Sequence, residues 1–196
     1  MAFWRYKTFT TDFEILKKEV FMEGKKVRLR AIEKTDIDEV MKWINDPEVV
    51  KYIGYPVYPF SRYQEERWLE RILDEKSPDK VFVIETKNGV YLGGIGLHQI
   101  NWHNRSAMVG IVIGKKEYWD KGYGTDAMRI ILDLAFNRMN LHRVGLNVYD
   151  FNQRAVKSYE KCGFKKEGVL REGYYYGGKY HDVVVMGILK KEFKKR

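Results

Sequence analysis

"YWDKGYGTDA", residues 118 to 127, places Gly122 and Gly124 between an apolar strand, Ile111 to Ile113, and a helical pattern that opens near Thr125. A loop that delivers a strand into a helix leaves several backbone N–H groups without partners at the helix N-terminus, and these attract anions with the help of the helix dipole. Glycines let such a loop turn through positive φ and let phosphate oxygens approach the backbone. Lys121-Gly-Tyr-Gly-Thr125 therefore reads as an anion cradle. A P-loop is excluded, because its lysine follows a glycine whereas Lys121 precedes Gly122. Gly122-Tyr-Gly-Thr-Asp-Ala127 does match the dinucleotide pattern G-x-G-x-x-A, with Asp150 lying 26 residues beyond Gly124. The nine-residue step from Ile113 to Gly122, which includes Lys115, Lys116 and Glu117, and the 46 residues left after Asp150 argue against that doubly wound fold.

Working outward, the chain before the loop alternates as strands do: VFVIET from Val81, VYLGGIGLHQI from Val90 and SAMVGIVIG from Ser106, separated by turns at Lys87-Asn88-Gly89 and near Asn101 to Asn104. Three antiparallel strands are predicted. After the loop, Ala127, Ile131, Leu134 and Ala135 mark one face of a helix from Thr125 to Arg138. A strand from Arg143 to Tyr149, a helix from Asn152 to Cys162 stopped by Gly163, and a strand pair (164–175 and 179–188) around Gly177-Gly178 complete the C-terminal half. Toward the N-terminus, Lys26 to Ile32 alternates as a half-buried strand, and Thr35 caps a helix carrying Ile37, Val40, Met41 and Ile44. An aromatic loop, YIGYPVYPF from Tyr52, precedes a helix that starts at Ser61 and carries Glu65, Glu66, Glu70, Asp74 and Glu75. Those acids are able to attract a cationic amine, although solvated helix charges commonly have no such role. Thr11 and Glu14 form a capping box for a short helix in an N-terminal extension, residues 1–24, packed on the domain. The order predicts an α/β chain, mixed α+β in character: one domain, 25–196, with a central, mostly antiparallel sheet flanked by helices.

The composition fits one core, with 196 residues of which 44% are apolar. No apolar run reaches the ~18–20 residues of a membrane span, and Arg5 and Lys7 interrupt the aromatic N-terminus, so a cytoplasmic protein without a membrane partner is expected. A single cysteine, Cys162, forms no intramolecular disulfide, and the histidines show no zinc spacing, so no metal is expected. The formal charge of +9 is uneven: residues 1–80 carry 16 basic and 16 acidic side chains, residues 81–196 carry 20 and 11. Such a field suits a polyanion, either nucleic acid or a phosphorylated cofactor.

Three stretches, VRLRAIEKTDIDEVMKWINDPEV from Val27, YWDKGYGTDAM from Tyr118 and NQRAVKSYEKCGFKKEG from Asn152, decide between them. Over residues 27–190 the chain resembles the GNAT superfamily of acyl-CoA-dependent N-acyltransferases, in the branch of the ribosomal-protein-alanine N-acetyltransferases (RimJ/RimL-like) and of spermidine N-acetyltransferase. The resemblance implies a splayed sheet and acetyl-CoA as co-substrate. Trp119, Asp120, Lys121, Gly122, Tyr123, Gly124 and Thr125 would then grip the pyrophosphate, and Ile111, Val112 and Ile113 would pair with the pantetheine arm. Asn152, Ala155 and Ser158 would contact the cofactor, and Tyr159 would act as general acid. Trp119 stands where the family often has Gln or Arg. Asn152 and Tyr159 are seven residues apart, two helical turns, so one ligand is able to touch both.

The implied reaction needs a neutral amine, a polarised carbonyl and a proton for the leaving thiolate. Backbone N–H groups near Ile111 suit the oxyanion. The base is open: related enzymes often carry R-x-A-E, but this chain reads Arg105-Ser-Ala-Met108, which leaves His98, Glu33 or ordered water. A tyrosine with pKa near ~10 is a weak acid toward a thiolate near ~8.5, though still a hydrogen-bond donor to it. Cys162 reads as a small buried side chain rather than a nucleophile. The hairpin Tyr174 to Tyr180 would border the acceptor groove rather than stack nucleobases, so nucleic acid is disfavoured as a partner. The acceptor implied is a primary amine, first a protein N-terminus of the ribosomal-protein-alanine type and alternatively a polyamine or aminoglycoside. A non-catalytic coenzyme A binder or basic RNA-associated module is the competing class. The aromatic extension suggests a homodimer contact.

Overall fold

The computed structural model describes residues 22–54 and 58–194. The helix expected from Thr11 to Val20, and the dimer contact expected of the extension, lie outside the described residues. Eight strands form one sheet: β1 (Met22–Glu23), β2 (Val27–Ala31), β3 (Lys80–Thr86), β4 (Tyr91–Asn101), β5 (Ser106–Ile113), β6 (Arg143–Tyr149), β7 (Lys165–Tyr176) and β8 (Lys179–Leu189). Their spatial order is β1-β2-β3-β4-β5-β6-β8-β7. Every adjacent pair is antiparallel except β5 and β6, which run parallel. That exception follows from the connection: the helical segment between them returns the chain to the edge it left.

Helices cover both faces because both faces are apolar. On one, α4 (Tyr123–Asp133) and α5 (Gln153–Cys162) pack with Ile95, Leu97, Val109 and Ile111 of the sheet. On the other, α1 (Ile37–Val40), α2 (Pro47–Val50) and α3 (Arg62–Leu73) enclose a smaller cluster with Val83 and Tyr91. Ser61 caps α3 as its sequence predicts, accepting the N–H of Gln64 at 3.3 Å.

The first helix departs from expectation. Its N-cap is Glu33 rather than Thr35, and a 3-10 turn, Lys34–Asp36, comes first. The Asp36 carboxylate explains the shift, since it accepts the Glu33 N–H at 2.8 Å and is gripped by both terminal nitrogens of Arg30, at 2.8 and 2.7 Å. The helix after the glycine loop begins at Tyr123, two residues early, and widens to a π turn over Leu134–Arg138.

One carboxylate ties the N-terminal edge of the sheet to α4. Asp126, buried in the first turn of α4, accepts backbone N–H groups from Lys25 (3.2 Å), Lys26 (2.7 Å) and Val27 (3.1 Å). Gly24 is needed beside it, because a Cβ there would collide with the carboxylate. Asp126→Ala leaves three amides without their charged acceptor, and is expected to lower unfolding free energy by roughly 2–3 kcal/mol. A chemical-denaturation midpoint unchanged from the parent protein would show that this clamp carries no stability.

Candidate active site

The site begins where β5 and β6 part. Their ladder holds only Ser106 with Arg143, Ala107 with Val144 and Met108 with Gly145. Beyond Met108, β5 stays paired with β4 as far as Ile113, and β6 stays paired with β8 as far as Tyr149. The facing edges therefore diverge with their backbone groups unmatched, an opening into which an extended ligand fits as a strand does.

A cavity of about 320 Å³ fills this opening. Ile111, Val112 and Ile113 form one wall, the glycine loop closes its end, and α5 forms the other wall with Asn152, Ala155, Ser158 and Tyr159. Every site residue expected from the sequence lines it except Lys121, which is exposed and whose carbonyl is held instead by Lys26 Nζ at 2.8 Å. Gly122 sits at φ +81°, with the first helical bond of α4 running from Asp126 N–H to Gly122 O at 3.0 Å. The amides of residues 122 to 125 have no backbone partner among the described residues, which is the arrangement an anion cradle needs.

Trp119 has two contacts that the sequence did not foretell. Its Nε1–H donates to the carbonyl of Ile113 at 2.7 Å, so that acceptor on the strand edge is already used. The Arg154 guanidinium lies 3.9 Å from the centre of the Trp119 ring, a stacked cation. Arg154, Lys157 and Lys161 all line the cavity from α5. Their spacing of three and four residues was the signal to read, since it puts three cations on the helix face that carries Ser158. Thr125 and Ser158 share a hydrogen bond of 2.7 Å that fixes α4 to α5. Asn152 caps α5, its Oδ1 accepting the Ala155 N–H at 3.2 Å.

A second cavity of about 670 Å³ meets the first on the opposite face of the sheet. Tyr52, Ile53, Ile111, Val112, Asn147 and Tyr159 line both. Tyr159 is therefore at the junction, and its hydroxyl makes no hydrogen bond among the described residues. Burial is the main reason its pKa is pushed up to about 12, with Cys162 adding to the effect and Arg154 opposing it. The floor of the second cavity is bare sheet at Gly94, Gly96 and Gly110. Its walls include Trp43, Trp68, Tyr149 and Tyr174, the last two stacked at 3.8 Å. The C-terminal hairpin thus borders this space through Tyr174, while Tyr175 and Tyr180 are exposed.

Of the acids on α3, Glu65 alone is buried. It lines the second cavity without an ion-pair or hydrogen-bond partner among the described residues, and burial alone raises its pKa. The other candidates for a base separate. His98 lines this cavity, whereas Glu33 is exposed and outside it. Met108 lines it too, with its sulfur lying against Gly145. No group of three or more His, Cys, Asp or Glu side chains among the described residues is arranged to hold a metal ion. No described helix is long and apolar enough to cross a membrane.

A parallel strand pair that splays after three residues, an amide cradle with cations beside it and a second cavity beyond a shared tyrosine define a site for transfer from a long phosphorylated donor to a second substrate. Residues 26–165 match the acetyltransferase (GNAT) domain family, and the chain belongs to it. The spermidine N(1)-acetyltransferase of Vibrio cholerae serotype O1 is 33% identical over 168 residues, which cover 86% of this chain and 95% of the relative. That of Escherichia coli K12 is 29% identical over 167 residues, 85% of this chain and 88% of the relative. A crystal structure of spermidine N-acetyltransferase from Vibrio cholerae in complex with CoA and spermine superposes with a TM-score of 0.77 at 32% identity, covering 85% of this chain and 96% of that one. The chain is an N-acetyltransferase with acetyl-CoA as its acyl donor.

Cys162 stays out of this chemistry. It is buried, its Sγ–H donates to Thr125 O at 3.6 Å, and burial pushes its pKa up to about 11. The thiol is therefore protonated at mildly alkaline pH, and only the thiolate reacts. Iodoacetamide at about pH 8 is expected to leave folded Cys162 unlabelled and to label it rapidly in denaturant; rapid labelling of the folded protein by mass spectrometry would contradict this.

Proposed function

We propose that the chain acetylates a primary amine of a small polycationic molecule of the polyamine class. The observation that carries this reading is Glu65, a buried carboxylate without a partner among the described residues, facing a cavity walled by Trp43 and Trp68. An ammonium group supplies the missing countercharge, and indole faces attract a second one. The activity named for the Vibrio cholerae and Escherichia coli relatives favours such an acceptor over a protein N-terminal amine.

On the donor side, the amides of residues 122 to 125 hold the pyrophosphate, and Arg154, Lys157 and Lys161 supply positive charge to the phosphates. The strand edge at Ile111 and Val112 pairs with the pantetheine arm, and Asn152 has its side-chain amide N–H groups left for the same arm once its oxygen has capped the helix. The thioester then lies near Tyr159, between the two cavities. With its pKa raised, Tyr159 keeps its proton at neutral pH and presents an O–H to the sulfur as negative charge develops there.

Two variants separate these roles from structure. In the free protein Glu65 has a raised pKa, so its charged form costs stability that is lost as pH rises past the ordinary carboxyl range and through the raised pKa. Glu65→Gln is therefore expected to leave the melting temperature at pH 7 unchanged or higher, yet to raise KM for spermidine about tenfold or more, as loss of a charge-assisted contact does. An unchanged KM for spermidine in steady-state assays would remove the basis of the polyamine reading. Tyr159→Phe is expected to lower kcat by roughly 10²-fold with coenzyme A affinity kept; a kcat equal to that of the parent would refute the donor role.

A further inference from the structure

The second cavity is lined by one imidazole, His98. His98 lies on β4 opposite Met108, on the face that floors the cavity. The sheet is bare beside it. A Cβ at Gly96 would stand 2.9 Å from His98 Nε2, and one at Gly110 would stand 3.4 Å from it. The imidazole thus folds along the strand over two glycines, and its Nε2 reaches the residue that immediately precedes Ile111.

The other ring nitrogen is fixed. His98 Nδ1 lies 3.1 Å from Asp79 Oδ2, and Asp79 Oδ1 accepts the Gln99 N–H at 3.3 Å. Gln99 has φ +50°, at the point where the β4–β5 register slips between His98 and Asn101. A non-glycine residue in the left-handed region is strained, and bulges next to active sites re-aim side chains. One carboxylate thus holds both the strained bulge and the imidazole, which sets Nδ1 as the proton-bearing nitrogen and leaves the Nε2 lone pair toward the cavity.

We propose that His98 is the general base of acetyl transfer, with Asp79 as its positioning residue. Nε2 takes a proton from the acceptor ammonium, leaving a neutral amine and an imidazolium offset by Asp79. The amine lone pair forms the C–N bond to the thioester carbonyl carbon. As the C–S bond breaks, its electron pair leaves on sulfur, which gains the proton that nitrogen sheds on becoming an amide; the Tyr159 hydroxyl is placed to pass it. Amide, thiol and one proton released from His98 to solvent complete the balance. Of the other titratable groups lining the cavity, Glu65 is on α3, Tyr91 is in the apolar cluster beneath it, and Tyr52, Tyr149, Tyr159 and Tyr174 are phenols. Asp79 is the charged group in contact with the imidazole.

This inference rests on acetyl transfer itself and not on the polyamine reading. The test measures thiol release from acetyl-CoA with spermidine, with n-butylamine and with water alone as acceptor, as a pH profile between about pH 5.5 and 9.5. His98→Gln is expected to lower kcat about 10²-fold at neutral pH and to abolish the acid limb of the profile, with coenzyme A binding and melting temperature retained. In His98→Ala, added imidazole restores turnover. Asp79→Asn is expected to lose about tenfold in kcat with KM kept, and Asp79→Glu to recover part of it. A His98→Gln enzyme with the parent rate, or with a reduced rate but an unchanged acid limb, overturns the assignment. Turnover of n-butylamine without turnover of spermidine overturns the polyamine reading instead, and hydrolysis by water reports on His98 even if neither amine is accepted.

Discussion

The parting of β5 from β6 is the constraint on which the rest of the molecule depends. A parallel pair that stayed in register would satisfy its own backbone groups and leave no opening. Here the ladder stops at Met108 and Gly145, and the Met108 sulfur lies against that glycine at the point of divergence. The strand edge beyond is presented to a ligand rather than to a neighbour. Because the gap runs through the sheet, it joins a cavity on one face to a cavity on the other, and Tyr159 lines both. On the proposed reading, a donor and an acceptor that enter from opposite faces meet at one residue.

Charge is divided along the same line. The donor side has Arg154, Lys157 and Lys161 from one helix face, together with loop amides that have no backbone partner among the described residues. The acceptor side has the buried Glu65 among indole and phenol rings. Three of the basic residues of the C-terminal part thus line the first cavity. Trp119 serves the same end indirectly: its indole is pinned to Ile113 and forms the surface on which Arg154 stacks.

The cradle also needs support from outside the motif. Asp126, two residues after Gly124, takes three backbone N–H groups from the turn before β2 and from its first residue, while Lys26 in that turn donates to Lys121 O. The loop and the edge of the sheet therefore hold each other, so a stretch distant in sequence fixes the conformation of the glycine loop.

Periodicity and turn chemistry are local properties, and they were enough to read ten elements close to their observed bounds, the strand Arg143–Tyr149 and the helix capped by Ser61 among them. The glycine cradle and the shared face of Asn152 and Tyr159 were legible for the same reason, since each depends on residues within two helical turns. The Thr35 cap failed because Arg30 and Asp36, six residues apart, compete for the turn through side chains. The acidic residues of α3 look alike in sequence; Glu65 is the one buried where α3 packs on the cluster that holds Tyr91 and Trp43, and burial is decided by the whole fold. His98 was visible only as a candidate, because its carboxylate is 19 residues upstream and its clearance comes from glycines on two strands. The sequence by itself determined the elements, the anion cradle and the family, because these follow from short-range patterns of residue type. Only the tertiary structure decided which acid and which imidazole face the acceptor, because that depends on which residues far apart in the chain exclude water together.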